Sequence, residues 1–128
     1  LFQANAIRNY VHIKDVSSAF RWMIENYEEN MGEAFNIGLS DTNISKLELT
    51  ERIKKYIPDF IVNESEYYED PDKRNYIVSN EKIESLGWKS NYSLDEGIEE
   101  LIDGYQIIIN NDSSHFRNAF PTSYGQLL

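Results

Sequence analysis

Apolar and polar residues follow one another along the chain in blocks that predict helices separated by short strands. Between residues 16 and 27, apolar residues recur every three or four positions, which is the spacing of one face of a helix. A longer stripe of the same kind runs from 94 to 109. Short apolar runs predict four strands, at 10–13, 34–38, 60–62 and 76–78. This alternation predicts an α/β fold class, with fewer strands than a complete dinucleotide-binding sheet needs.

Local signals mark where the helices begin. Asp15 is a good N-cap residue, so we expect the first helix to start there. Ser45 with Glu48, and Ser93 with Glu96, have the spacing of a capping box, in which each side chain bonds the other residue's backbone N–H. These two pairs predict the starts of two further helices.

The composition describes a folded domain followed by a tail. With 128 residues, 41% of them apolar, the chain is long enough to bury a core. The periodic pattern ends near residue 110, so we predict one domain over 1–110. Residues 111–128 mix Ser, Asn, Phe, Pro and Gly without a period, which predicts an irregular tail.

The charge and the missing cysteines exclude several classes of function. Twelve basic residues against 22 acidic ones give a net charge of −10, which disfavours binding to nucleic acid or to an anionic membrane. No apolar run is long enough to span a bilayer. Cysteine is absent, which excludes disulfides and thiolate metal sites and fits the cytoplasm, where we expect the protein.

The residues that would carry chemistry are few. The two histidines, His12 and His115, lie far apart, so we predict no metal site. No three of the six glycines have the GxGxxG spacing that cradles a dinucleotide, and we expect none bound to this chain alone. Tyr10 and Lys14 have the Tyr-x-x-x-Lys spacing of a proton-transfer pair. A strand would hold them roughly 13 Å apart, so we interpret the match as coincidental and predict no catalytic residue.

Two arginines are candidate phosphate-binding residues. Arg8 precedes the first strand-like run, and Arg74 follows an acidic stretch. A guanidinium can hold a pyrophosphate through two parallel N–H bonds. The alternative is that each arginine forms an ordinary surface ion pair. Composition and spacing do not decide between the two.

Four segments, in this order, resemble blocks in the C-terminal half of NAD-dependent nucleotide-sugar epimerases and dehydratases, which belong to the extended short-chain dehydrogenase group. They are RNYVHIKDV at 8–16, GEAFNIG at 32–38, DKRNYIVS at 72–79 followed by Lys82 and LGW at 86–88, and YSLDEGI at 92–98. Together they cover residues 8 to about 108. The glycine-rich loop and the catalytic pair of the family lie in its first half, which this chain does not contain.

The resemblance implies roles for particular residues. Arg8 would lie near the diphosphate of the substrate, Arg74 would hold it from the other side, and Asn43 would lie near the nucleotide. The implied fold is the substrate-binding lobe of an incomplete Rossmann fold. The intact protein would use NAD or NADP on a nucleotide-diphosphate sugar, and a homodimer is possible for it.

Two hypotheses follow from these observations. In the first, the chain is the sugar-nucleotide-binding portion of such an enzyme, is inactive alone and exposes an apolar surface to an N-terminal cofactor domain. In the second, it is a stand-alone acidic interaction or structural domain that has lost its ligand. The nucleotide, the sugar, the type of reaction and the choice between NAD and NADP stay open.

Overall fold

The computed structural model describes residues 1–64 and 74–109. Helices and strands are mixed in these ranges, as the sequence predicts. In chain order they are β1 (Ile7–Asn9), α1 (Ile13–Glu25), α2 (Tyr27–Asn30), β2 (Asn43–Ser45), α3 (Lys46–Tyr56), α4 (Glu81–Ser85) and α5 (Leu94–Ile109).

The chain divides into two compact units, Leu1–Ile98 and a second that begins at Glu99 within α5. The predicted domain boundary at residue 110 and the predicted tail, 111–128, lie outside the described residues. None of the helices in the described part is long and apolar enough to cross a membrane.

The sheet of the described part is a two-stranded antiparallel ribbon. Arg8 pairs with Ile44, and Asn9 pairs with Asn43. The prediction of a strand at 10–13 is wrong, since β1 ends at Asn9 and α1 already begins at Ile13. The runs at 34–38, 60–62 and 76–78 are likewise not strands in the described ranges.

The first of these runs shows what replaces strand pairing. Asn36 donates its side-chain amide to the backbone oxygen of Ser79, at 3.2 Å. Lys82 donates to the backbone oxygen of Ala34, at 2.9 Å. Side chains therefore form the hydrogen bonds to these backbone groups that a neighbouring strand would otherwise form. Hydrophobic periodicity in the sequence does not reveal such bonds.

The N-cap of α1 is His12 and not Asp15, so that prediction is wrong. The Nδ1 atom of His12 accepts the backbone N–H of Lys14 at 3.1 Å, and the His12 backbone is extended, with ψ of 138°. Asp15 lies inside the first turn and is completely buried. Its carboxylate accepts the backbone N–H groups of Asn91 (2.9 Å) and Tyr92 (3.1 Å), just before α5. Asp15 therefore joins two distant segments of the first unit.

The core lies between α1, α4 and the segment that follows α4. Ala19, Ile83 and Trp88 are buried together, and Trp22 packs against them. The indole N–H of Trp88 donates to the hydroxyl of Ser18 at 3.1 Å. The buried tryptophan thus satisfies its one polar group on α1.

The apolar stripe predicted for α1 does not form a single buried face. Ala19 is 1% exposed, whereas Phe20 and Ile24 are 68% and 76% exposed. Ile13, on the same side of α1, is exposed as well. We call Ile13, Phe20 and Ile24 the α1 stripe. The core instead packs against the side that carries Asp15, Ala19 and Trp22.

Both predicted capping boxes are confirmed. Ser45 and Glu48 bond each other's backbone N–H groups at 3.1 and 2.7 Å. Ser93 and Glu96 do the same, at 3.2 and 2.7 Å. The backbone N–H and hydroxyl of Ser45 lower the pKa of Glu48, and the hydroxyl and backbone N–H of Ser93 lower that of Glu96.

These lowered pKa values predict a loss of stability in acid. A carboxyl group whose pKa is lowered by folding stabilises the native state above its unfolded pKa, near 4.5, and loses that contribution as the pH falls through the folded value. The Glu48→Gln/Glu96→Gln variant keeps the capping geometry without titrating. Thermal unfolding should therefore show a smaller drop in melting temperature for this variant than for wild type, between about pH 6 and about pH 3. Equal drops would contradict the assignment.

Candidate functional site

Arg8 projects from β1 towards the segment that begins at residue 74. Its Nη1 atom donates to two backbone oxygens, that of Ile7 at 2.8 Å and that of Arg74 at 2.6 Å. The second bond directly joins the two arginines that the sequence identified as candidate phosphate-binding residues. The structure thus brings together residues that are 66 positions apart.

The ring of Tyr76 lies beside both guanidinium groups. The guanidinium carbon of Arg8 is 4.8 Å from the ring centroid, and that of Arg74 is 5.3 Å from it. Both distances are within the range of a cation–π contact. Two positive groups therefore share one aromatic neighbour in a chain whose net charge is −10. We call Arg8, Arg74 and Tyr76 the arginine pair site.

Backbone contacts with β1 hold the segment that carries Arg74. Tyr76 donates its N–H to the oxygen of Ile7 at 3.1 Å. The N–H of Ile7 donates to the side-chain oxygen of Asn75 at 3.0 Å. Residues 75 and 76 therefore lie along the edge of β1 like a third strand, with a side-chain amide in place of one ladder group.

Asn43, the third candidate, lies on β2, and its amide is occupied by protein groups. It donates to the backbone oxygen of Val78 and accepts the backbone N–H of Val78, both at 2.9 Å. Its oxygen also accepts a bond from the amide of Asn9 at 3.2 Å. The Asn43 side chain thus connects the ribbon to the segment that carries Arg74.

Tyr10 lies between β1 and α1, whereas Lys14 lies in the first turn of α1, so the two residues do not lie on one helix. The backbone groups of Tyr10 bond to Thr42, and the Lys14 ammonium lies 5.2 Å from the ring centroid of Tyr92. Burial raises the pKa of the Tyr10 hydroxyl, and the positive charge of Arg8 offsets part of that rise.

The glycines of the described part do not form a phosphate cradle. The close approach at Gly38 serves the protein itself, because a Cβ atom there would lie 2.1 Å from the side-chain oxygen of Asn9. Gly87, with φ of +107°, ends the turn after α4. These residues do not fit a dinucleotide, and we derive no chemical step through one.

The described residues include no group of three or more metal-binding side chains. Two surface concavities lined by described residues have volumes of about 430 Å³, around residues 24–29, and about 350 Å³, between α1 and residues 87–91. Neither is lined by Arg8 or Arg74.

Sequence reasoning did not assign a role to Tyr76 or to Asn9. The signal for Tyr76 was available, because residues two apart in an extended segment project to the same side, and Tyr76 is two residues after Arg74. Asn9 gave no comparable signal. Its partners, Leu39 and Asn43, are 30 and 34 residues away.

Comparison with known proteins gives relatives among curated sequences. The chain is 30% identical over 102 residues to the low-salt glycan biosynthesis protein Agl12 of Haloferax volcanii, with 77% of this chain and 31% of the relative covered. It is 31% identical over 107 residues to mouse dTDP-D-glucose 4,6-dehydratase, with 77% of this chain and 29% of the relative covered. No family profile matches the chain.

Solved structures share the fold. The dTDP-glucose 4,6-dehydratase of Bacillus anthracis, solved in complex with NAD, superimposes with a TM-score of 0.68 at 23% identity. That match covers 81% of this chain and 32% of the dehydratase. A GDP-D-glycero-L-gluco-heptose synthase of Campylobacter jejuni, solved with NADPH, gives 0.65 at 19% identity, with 80% of this chain and 31% of the synthase covered.

These matches confirm the predicted fold class, which is the α/β C-terminal part of enzymes of this type. The chain spans about three tenths of the length of the curated relatives it matches. The arginine pair site and the α1 stripe both lie in the first unit of this C-terminal part.

Proposed function

Since this chain belongs to the extended short-chain dehydrogenase family of NAD-dependent nucleotide-sugar epimerases and dehydratases, we propose that it forms the part that binds the sugar nucleotide. Arg8 and Arg74 hold the diphosphate, and Asn43 supports the same site. The chain has no catalytic activity by itself. The observation that carries this proposal is the placement of both guanidinium groups against one ring, that of Tyr76.

The electrostatics of the arginine pair site favour a diphosphate. A doubly charged anion next to two guanidinium groups is attracted by both positive charges and is able to accept N–H bonds from each of them. The planar ring of Tyr76 restricts where the guanidinium groups can lie, which lowers the entropy lost on binding. The acidic surroundings repel long polyanions. The site therefore suits a small diphosphate better than a nucleic acid.

The NAD(P)-binding part of the proposed enzyme must supply the redox chemistry and the opposite wall of the cleft. A structural relative was solved with NAD, whereas the glycines in residues 1–64 and 74–109 of this chain form no cradle for it. The α1 stripe supplies an apolar surface that fits a packed domain better than water. We propose that the cofactor domain covers this stripe, that the protein works in the cytoplasm, and that the intact enzyme is a homodimer.

Calorimetry with sugar nucleotides tests the proposed function. Titration of the chain with dTDP-, UDP-, GDP- and CDP-glucose should release or absorb heat for one of them, with an affinity that falls as salt rises. Incubation of the same ligands with NAD should give no turnover by this chain. Turnover would contradict the proposed inactivity. A lack of heat with all four would favour the alternative, a stand-alone acidic interaction or structural domain.

The α1 stripe predicts that the chain associates with itself. Introducing two charges by Phe20→Glu/Ile24→Glu should weaken that association by about a hundredfold, because each side chain loses about 1.5 kcal/mol of apolar burial. Sedimentation velocity over a range of concentrations measures the effect. Ile61→Glu is the matched control, since Ile61 is 79% exposed and lies outside the stripe. A wild-type chain that stays monomeric at all concentrations would contradict the prediction.

A further inference from the structure

We propose that Asn43 is a positioning residue, which places Arg74 for diphosphate binding by holding the backbone of Val78. This proposal rests on the proposed function and adds a specific role for one residue of the site. Four observations support it. They are the two hydrogen bonds between Asn43 and Val78, which we call the bracket, the orientation of the Asn43 amide, the anchoring of residues 74–76, and the face of the ribbon on which Asn43 lies.

The bracket consists of two hydrogen bonds to one residue. Asn43 donates Nδ2–H to the oxygen of Val78, and the N–H of Val78 donates to Oδ1 of Asn43, both at 2.9 Å. This is the bonding that a neighbouring strand would give to a residue of a ladder. The segment around Val78 is not a strand, so a side-chain amide performs the pairing that the backbone does not.

Asn9 fixes the orientation of the Asn43 amide. It donates to Oδ1 of Asn43 at 3.2 Å and to the oxygen of Leu39 at 2.9 Å. The N–H of Leu39 in turn donates to Oδ1 of Asn9 at 3.2 Å. A flipped Asn43 would turn its NH₂ group towards two N–H donors, from Asn9 and Val78, so only one orientation satisfies all partners.

The other end of the segment is anchored on β1. Tyr76 donates to the oxygen of Ile7, and Arg8 donates to the oxygen of Arg74. The segment from Arg74 to Val78 is therefore held near its start by β1 and at its end by Asn43. Loss of the Asn43 bracket would release the backbone of Val78, so the guanidinium of Arg74 would sample more positions and bind an anion less tightly.

Asn43 lies on the opposite face of the ribbon from Arg8. Successive strand residues project to alternate faces, so the pair Asn9 and Asn43 occupies one face and the pair Arg8 and Ile44 the other. An effect of Asn43 on a diphosphate held by Arg8 must therefore pass through another residue. The bracket on Val78 shows that Asn43 acts on the site through the segment that carries Arg74.

A double-mutant cycle tests this route, with dTDP and inorganic pyrophosphate as probes and calorimetry as the measurement. We expect Asn43→Ala to weaken the binding of both probes about tenfold. The Arg74→Ala and Asn43→Ala/Arg74→Ala variants should then bind with affinities within about twofold of each other, because the bracket has no guanidinium left to position. Fully additive losses would overturn the proposal.

Amide hydrogen exchange tests the bracket without any ligand. Asn43→Ala should accelerate exchange at the Val78 N–H, whereas Asn43→Asp keeps an acceptor for that N–H and should retain more of its protection. Asn43→Asp also serves as the second variant if Asn43→Ala fails to fold. Unchanged exchange at Val78 in both variants would overturn the proposal.

Different results would disprove the proposed function and the positioning role of Asn43. If the wild-type chain binds neither dTDP nor pyrophosphate, the proposed function fails and the positioning role fails with it, whatever the exchange rates. If wild type binds both and Arg74→Ala weakens binding while Asn43→Ala does not, the proposed function stands and the positioning role is wrong.

Discussion

Replacing Asp15 with alanine should lower the free energy of unfolding by about 3 kcal/mol, a large fraction of the stability of a domain of this size. The Asp15 carboxylate is completely buried and accepts the backbone N–H groups of Asn91 and Tyr92. Alanine would leave both donors without an acceptor inside the protein. A hydrogen bond to a charged group contributes about 1.5 to 3 kcal/mol. Urea unfolding, followed by tryptophan fluorescence, measures the change.

Two further variants show whether the carboxylate itself is responsible. Asp15→Asn keeps one oxygen and turns an NH₂ group towards the second donor, so its loss of stability should be nearly as large as that of alanine. Asp41→Ala is the matched control, because Asp41 is exposed, and it should stay within about 0.5 kcal/mol of wild type. A stable Asp15→Ala variant would mean that the junction between α1 and the start of α5 does not depend on this residue.

Removing either arginine of the arginine pair site should weaken binding of a nucleoside diphosphate by about 10- to 100-fold. The estimate follows because a hydrogen bond to a charged group contributes about 1.5 to 3 kcal/mol. The Arg8→Ala/Arg74→Ala variant should show no measurable heat with dTDP-glucose in the calorimeter. Binding of thymidine, which carries no phosphate, should change little.

The controls separate charge from geometry. Arg8→Lys and Arg74→Lys keep the positive charge but lose the planar fork, so their affinities should fall between those of wild type and alanine. Arg21→Ala removes a positive charge that is paired with Glu25 on α1, away from the site, and should bind as wild type does. Equal weakening by Arg21→Ala would show that net charge alone attracts the ligand.

The features that could be predicted from the sequence are those that depend on neighbours in the chain. Both capping boxes are of this kind, because residues three apart are sufficient to form them. The start of α1 could not be predicted, because Asp15 uses its carboxylate on a backbone 76 residues away and His12 caps the helix instead. At this position, the long-range hydrogen bonds of Asp15 outweigh its local preference for an N-cap.

In the candidate site, too, some features depend on neighbours in the chain and others on distant residues. The two arginines could be identified from their surroundings in the sequence and from the resemblance. Their common neighbour, Tyr76, depends on β1 lying against the segment that follows residue 74. The bracket of Asn43 on Val78 likewise spans 35 residues and replaces a strand that the apolar run predicted. Hydrogen bonds between a side chain and a distant backbone group leave no periodic pattern in the sequence, so they could not be predicted from it.

The most direct measurement of the central claim is a titration of the ¹⁵N-labelled chain with dTDP-glucose, followed through the Nε–H signals of its arginines. We expect the signals of Arg8 and Arg74 to shift together and to saturate at the same concentration, while thymidine moves neither and the Arg21 signal stays in place. Shifts confined to other residues, or no shift of the two arginine signals at saturating ligand, would mean that these arginines do not bind the diphosphate.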